Sequence, residues 1–118
     1  MRKNHKILEL LKKDFPKAFF DSAHVKPLVA DACEKLLDYY DLHPDEGLNE
    51  KQIFYFMRWY KERPAYLNAI VRESYWVDLQ GNPVADITPD DKELAIDKRV
   101  EIYTARKERD VKKKENKV

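Results

Sequence analysis

The chain contains little of what nucleotide-dependent and disulfide-linked proteins require. It has only 2 glycines in 118 residues, which excludes glycine-rich phosphate loops and dinucleotide fingerprints, because those motifs place several glycines within a few residues. Its single cysteine, Cys33, can form neither an intrachain disulfide nor a multi-cysteine zinc site, which fits a reducing compartment. The sequence also lacks a long apolar run, so we expect no signal peptide, no membrane span and a cytoplasmic location.

No catalytic or metal-binding constellation can be assembled from the residues that are present. Cys33 lies on the apolar stripe of a predicted helix, where a small buried thiol is the ordinary role. The three histidines are widely separated: His5, His24 and His43. Asp90 and Asp91 follow Thr88, and this position favours stabilisation of a helix end over paired-carboxylate chemistry. We therefore predict a protein that is not an enzyme and that uses no metal, no cofactor and no small-molecule substrate.

Charged and apolar residues are both abundant. The 23 Lys+Arg and 22 Asp+Glu leave a net charge of +1, so total charge neither favours nor excludes an anionic partner. A hydrophobic fraction of 43%, with 12% aromatic residues, can supply a core although 38% of the residues are charged. A chain of this length and composition is expected to form one folded domain.

Hydrophobic periodicity predicts an α-rich α+β fold with about five helices and one small β-hairpin. A first amphipathic helix ends at Pro16, and the apolar spacing of a second begins at Val29. Asn49 and Gln52 have the spacing of a capping box ahead of a third helix, and Pro64 suits the first turn of a fourth.

From Tyr75 the apolar period changes to two, which predicts a hairpin with its turn at Gly81. Thr88 then precedes a last helix as its cap. We assign residues 1–104 to the domain and expect residues 105–118 to form a charged, flexible tail, because they lack an apolar period.

Cations and aromatic residues alternate in the middle of the chain. They are Phe54, Arg58 and Lys61 on one predicted helical stripe, Arg63 and Tyr66 beside a turn, and Arg72, Tyr75 and Trp76 at the start of the hairpin. A surface of this kind can stack bases and neutralise phosphates. Each aromatic residue can equally belong to the core and each cation to a solvated face, so the residues alone indicate a small interaction domain.

Several segments, in their order and spacing, resemble the FinO/ProQ domain of bacterial RNA chaperones over roughly residues 7–100. They are Phe15–Phe19, Lys26–Leu28, Leu48–Gln52, Arg58–Tyr60, Tyr66–Leu67 and, most specifically, Val77–Pro83. The resemblance implies a domain that binds structured RNA, typically a terminator-like stem followed by a single-stranded 3′ end. It also implies post-transcriptional regulation, in which regulatory small RNAs are protected, annealed or remodelled.

The resemblance also implies a binding site. Its residues matched by position are Lys26, Arg58 and Tyr66. The alternation of cations and aromatic residues adds three more, so the expected RNA-binding residues are Lys26, Arg58, Lys61, Tyr66, Arg72 and Trp76. Lys26 stands where family members usually carry arginine, and Arg58 matches a basic helix residue of the binding face. Tyr66 matches a pocket tyrosine whose ring and hydroxyl we expect to be available to the terminal nucleotide. As an alternative, Tyr66 belongs to a buried stripe with Ile70.

Asp78, Gly81 and Asn82 match the hairpin motif of the family. A tight turn and a local side-chain cap explain these residue types without any contact to RNA. We therefore expect them to have a structural role.

Some positions depart from the family pattern. Phe54, Ala65, Trp76 and Ile96 stand where well-known members carry basic residues. Trp76 offers a stacking surface in place of a fixed cation, for which Arg72 could partly substitute. Fewer phosphate contacts predict weaker and less salt-sensitive RNA binding.

These departures support an alternative hypothesis, a FinO/ProQ-shaped domain repurposed for protein–protein interaction with weak or no RNA binding. The near-neutral charge and the aromatic residues favour this alternative, whereas Arg58, Tyr66 and the hairpin motif favour RNA. We expect a monomer in either case.

Overall fold

Five helices and a two-stranded antiparallel hairpin make up the computed structural model, which describes residues 2–21 and 23–115. The helices are α1 (Arg2–Asp14), α2 (Ala32–Asp41), α3 (Glu50–Glu62), α4 (Pro64–Arg72) and α5 (Pro89–Glu115), and the strands are β1 (Tyr75–Val77) and β2 (Pro83–Asp86). A short 3-10 helix, Pro44–Glu46, lies between α2 and α3. The predicted α-rich α+β class is thus confirmed. None of the described helices is long and apolar enough to cross a membrane.

Side-chain caps begin α3 and α5 where the sequence predicts them. The N–H of Gln52 donates to Asn49 Oδ1 and the N–H of Asn49 to Gln52 Oε1, both at 2.9 Å. At α5, the N–H of Asp91 donates to Thr88 Oγ1 at 3.1 Å and the N–H of Thr88 to Asp91 Oδ2 at 3.0 Å. These bonds satisfy N–H groups that have no partner within the helix. Asp91 is therefore a helix-capping residue.

The second helix begins later than its apolar spacing predicts. Helix α2 begins at Ala32, and Val29 lies in an extended segment before it. The N–H of Val29 donates to the Val77 carbonyl, and the N–H of Val77 donates to the Pro27 carbonyl, each at 2.9 Å. Pairing with β1 satisfies backbone groups that a helix would otherwise satisfy. The segment Lys26–Leu28 is thereby attached to the hairpin.

Buried aromatic side chains form the centre of the core. The ring centroid of Tyr60 lies 5.2 Å from that of Phe19 and 5.6 Å from that of Phe56. The Tyr60 hydroxyl also accepts the N–H of Phe20 at 3.1 Å, so one residue of α3 holds the loop after α1 through both packing and a hydrogen bond. Cys33 is half-buried against this core, and burial raises the pKa of its thiol, in agreement with the predicted packing role.

The turn of the hairpin depends on Asp78 and Gly81. Asp78 Oδ1 accepts the N–H groups of Gln80 and Asn82, each at 2.9 Å, which is the local side-chain cap that the sequence predicts. Gly81 has a φ of +81°, and a Cβ there would lie 2.7 Å from Lys17 Cβ and 2.8 Å from the Lys17 carbonyl oxygen. Glycine is required because this φ and this close approach exclude a side chain.

Helix α5 packs mainly against α4. Its inner side contributes the buried Ala95 and the half-buried Ile102, whereas Val100 and Tyr103 are 59% and 67% exposed. Residues 105–115, which we expected to be flexible, continue α5 as helix, as their many lysine, arginine and glutamate residues allow. The domain boundary at residue 104 stays a prediction, and residues 116–118 lie outside the described residues.

Candidate functional site

Lys61, Tyr66 and Trp76 line one groove of about 740 Å³ between α3, α4, α5 and the hairpin. Most of the remaining wall is apolar, and it includes Leu28, Leu67, Ile70, Val84, Leu94 and Ala95. We call this surface the aromatic groove. It brings half of the expected binding residues together, one each from α3, α4 and β1.

Trp76 forms the part of the groove wall that belongs to the hairpin. It lies on β1 opposite Ala85 of β2 and is half-buried. The pKa of Asp91, which also lines the groove, is lowered mainly by the hydrogen bonds from Thr88. The Trp76 ring supplies apolar surface to the groove.

Tyr66 lies at the floor of the groove, but its hydroxyl is not available as expected. The residue is 3% exposed, and its hydroxyl accepts the N–H of Leu28 at 3.0 Å and reaches the Leu28 carbonyl at 3.5 Å. Burial raises the pKa of Tyr66 to about 12. The expectation of an available hydroxyl is corrected: the hydroxyl holds the segment before α2, whose Leu28 N–H is buried and needs an acceptor.

Charged side chains on one rim of the groove form a chain of ion pairs. Glu62 Oε1 lies 3.6 Å from Arg58 Nε and 3.9 Å from Lys98 Nζ, and Lys98 also lies 3.7 Å from Glu101. Arg58 is highly exposed, and an exposed ion pair contributes only about 0–1 kcal/mol. Arg58 can therefore exchange Glu62 for another anion at little cost.

Lys26 and Arg72 lie together at a separate cluster, where both contact Glu73. Lys26 Nζ is 3.1 Å from Glu73 Oε1 and Arg72 Nε is 3.1 Å from Glu73 Oε2. Arg72 also donates from a terminal nitrogen to the Val25 carbonyl at 3.0 Å. We call these three charged residues the Glu73 cluster. It places two of the expected cations side by side, already paired with a carboxylate.

Arg63, which the sequence places among cations next to aromatic residues, serves the fold. Its guanidinium carbon lies 4.2 Å from the ring centroid of Tyr60 and 5.2 Å from that of Trp59. Its N–H groups donate to the backbone carbonyls of Phe20, Asp21 and Tyr60. Desolvation by burial lowers the pKa of this guanidinium, and its donors are used within the protein.

Sequence reasoning missed the acidic residues that accompany the expected cations. Glu62 follows Arg58 by four positions, and this spacing predicts an ion pair on one helical face. Glu73 follows Arg72 directly, but its contact with Lys26 spans 47 positions and has no local signal. Lys98 was missed because the weak apolar face of α5 does not indicate which side of that helix meets the groove.

The positions that depart from the family pattern differ in exposure. Phe54 and Ile96 are 50% and 47% exposed, whereas Ala65 is half-buried. Both exposed positions therefore present apolar surface. Within the described part of the chain, no group of three or more His, Cys, Asp or Glu side chains could hold a metal ion.

Comparison with known proteins agrees with this architecture. The NMR solution structure of a ProQ homolog from Legionella pneumophila is 29% identical, with a TM-score of 0.72 over 85% of this chain and 83% of that chain. The crystal structure of NMB1681 from Neisseria meningitidis MC58, a FinO-like RNA chaperone, is 18% identical, with a TM-score of 0.63 over 80% of this chain and 90% of that chain. No curated protein matches the sequence. The model of the ProQ/FinO family matches residues 1–115, and the chain therefore belongs to the ProQ/FinO family.

Proposed function

We propose that this protein is an RNA-binding chaperone that binds a stem followed by a single-stranded 3′ end and thereby affects the stability or pairing of small RNAs. Membership of the ProQ/FinO family supports this, as does the fold shared with a FinO-like RNA chaperone. The observation that carries the proposal is the aromatic groove, in which Lys61 and Trp76 lie at one concave surface.

The aromatic groove suits the unpaired nucleotides of such an RNA. Its volume of about 740 Å³ is within the range of small-molecule sites. The indole of Trp76 and the apolar wall offer a stacking surface for bases, and Lys61 and Lys98 offer charge to phosphates at the rim. Single-stranded RNA is bound in this way, by stacking together with backbone neutralisation.

The exposed cations outside the groove suit the stem. Side chains cannot read bases in the deep major groove of A-form RNA, so a duplex is recognised through its phosphates and its shape. Lys26, Arg58 and Arg72 are partly or largely exposed and act on phosphate in this proposal. Replacing Lys26 or Arg58 should then weaken all RNA ligands about equally and lower the salt dependence by roughly one unit per lost contact.

The experiment that tests the proposal is a titration with two RNA hairpins, one with a single-stranded 3′ tail and one without, at two salt concentrations. We expect the parent protein to prefer the tailed hairpin, and Trp76→Ala to lose about 1–3 kcal/mol of binding to that hairpin alone. Tyr103→Ala is the matched control, because it removes an exposed aromatic residue of α5 that does not line the groove. Equal binding of both hairpins by the parent would contradict recognition of the 3′ end.

A second candidate function, protein binding, is favoured by the apolar character of the groove. Val84 and Leu94 line it and are 59% and 67% exposed, and exposed apolar surface often marks a protein interface. The cations Lys26, Arg58 and Arg72 are each paired with a carboxylate. Absence of RNA binding even at low salt would favour this candidate.

The proposal includes no catalytic step, metal or cofactor. RNA cleavage that co-purifies with the protein and stops on addition of a chelator would contradict it. The monomeric state and the cytoplasmic location remain predictions.

A further inference from the structure

We propose that Glu73 sets the RNA affinity of this protein by competing with RNA phosphates for Lys26 and Arg72. This inference rests on the proposed function, since it concerns how strongly the same surface attracts RNA. It assigns Glu73 a role opposite to that of its neighbours: the cations attract the ligand, and the carboxylate between them lowers their availability.

The geometry allows one carboxylate to occupy two cations. Each oxygen of Glu73 contacts a different partner at 3.1 Å, Lys26 through Oε1 and Arg72 through Oε2. The Glu73 side chain is 25% exposed, whereas those of Lys26 and Arg72 are 44% and 55% exposed. The carboxylate therefore lies deeper than the cations, which remain accessible to a phosphate from the solvent side.

The backbone keeps Glu73 in this place. It is the C-cap residue of α4, and its N–H donates to the Ala69 carbonyl at 2.8 Å. A negative charge is unfavourable at the C-terminal end of a helix dipole, so the stability of α4 does not explain a glutamate here. Its ion pairs with Lys26 and Arg72 offset that cost.

Glu73 stays negatively charged under the conditions in which RNA binds. The hydrogen bond from Lys26, followed by that from Arg72, holds the pKa of Glu73 below its usual value. A phosphate that approaches either cation must therefore displace this charge or lie close to it, and either event weakens binding. The cations of the Glu73 cluster accordingly contribute less to affinity than their exposure indicates.

Glu73→Gln tests the inference, because it removes the charge and keeps the size of the side chain. We expect the variant to bind the tailed hairpin about threefold to tenfold more tightly than the parent, with a salt dependence steeper by about one unit. Asp45→Asn is the matched control, because it also removes one negative charge. Asp45 is an exposed residue of the 3-10 helix that follows the C-terminal end of α2, whereas Lys26 lies before the N-terminal end. Asp45→Asn should leave affinity within about twofold.

A second substitution measures the competition directly. Lys26→Gln should cost about twofold in affinity in the parent, where Glu73 occupies Lys26, and about fivefold in the Glu73→Gln background, where Lys26 is released. Thermal melting checks that each variant is folded, and Glu73→Ala replaces Glu73→Gln if the latter does not fold.

Three results would overturn the inference while leaving RNA binding intact: Glu73→Gln binds no more tightly than the parent, Asp45→Asn gains as much, or Lys26→Gln costs the same in both backgrounds. Failure of the parent and of every variant to bind either hairpin would overturn the proposed function together with this inference. Binding by Glu73→Gln but not by the parent would support both.

Discussion

The residues that hold the segment between α1 and α2 and the residues on the outer part of α5 include the same residue types but use them in opposite ways. Tyr66 is 3% exposed and its hydroxyl holds Leu28, whereas Tyr103 on α5 is 67% exposed. Arg63 donates hydrogen bonds to three backbone carbonyls, whereas Arg106 of α5 is exposed. Residues that the ProQ/FinO resemblance singles out can therefore be structural in this chain, and residues outside that pattern can supply its surface.

This difference follows from how the two regions satisfy their backbone. The segments after α1 and before α2 contain few backbone hydrogen bonds of their own, so side chains from α3 and α4 must supply partners. The backbone groups in the interior of helix α5 are hydrogen-bonded within the helix. Its outer side chains are therefore not needed as partners for backbone groups. Substitutions of residues that hold the segment between α1 and α2 should therefore affect stability, and those on the outer side of α5 should affect it little.

The largest expected effect comes from Gly81→Ala. The substitution forces a side chain onto a φ of +81° and into contact with Lys17 at 2.7–2.8 Å, so we expect a loss of about 3 kcal/mol or more in the free energy of unfolding. Chemical denaturation measures this loss.

Gly47→Ala is the matched control, because Gly47 has a similar φ of +76° but no atom within 4 Å of a Cβ built there. It should lose about 1 kcal/mol through backbone strain alone. Equal losses at the two positions would show that the contact between the turn and Lys17 contributes nothing.

Tyr66→Phe should have the next largest effect. It removes the acceptor of the buried Leu28 N–H, and an unsatisfied buried donor costs about 1–3 kcal/mol. Tyr103→Phe, at an exposed position, should leave the melting temperature unchanged. Unchanged stability of Tyr66→Phe would restore the hydroxyl as a candidate contact to RNA.

The sequence predicted what local chemistry determines and missed what distant contacts determine. The capping box at Asn49 and the side-chain cap at Asp78 depend on residues a few positions apart, and both were predicted. Val29 leaves its expected helix because it pairs with Val77, a contact across 48 positions, and no local period encodes that choice. The contact of Glu73 with Lys26 was missed for the same reason. Among the groove residues, Tyr66 was identified through the family resemblance, and Lys61 and Trp76 through the alternation of cations and aromatic residues.

Truncation after Thr104 tests α5 itself and the predicted domain boundary. We expect the shortened chain to lose less than about 1 kcal/mol of stability, because Ala105 is only half-buried and the four residues after it are exposed, and exposed residues contribute little to the core. The removed residues carry seven Lys+Arg against three Asp+Glu, so RNA affinity should fall at low salt and approach that of the parent at high salt. A loss of several kcal/mol in denaturation would place the end of α5 within the cooperative fold.

The smallest expected effect is the dependence of stability on pH that arises from Glu73. Its pKa in the folded protein lies below the usual 4.5, chiefly through the Lys26 hydrogen bond and then through Arg72. A depressed pKa means that the charged carboxylate stabilises the fold above the unfolded-state pKa, and that this stability is lost as pH falls through the folded-state pKa. The melting temperature of the parent should therefore exceed that of Glu73→Gln at neutral pH, and the difference should shrink as pH falls below about 4.5.

Melting curves of both proteins across this pH range measure the difference in melting temperature. Comparing the two proteins isolates the contribution of Glu73 from that of the other carboxylates. A difference that is independent of pH would show that the ion pairs of the Glu73 cluster add no stability, and it would leave competition with RNA as the role of this residue.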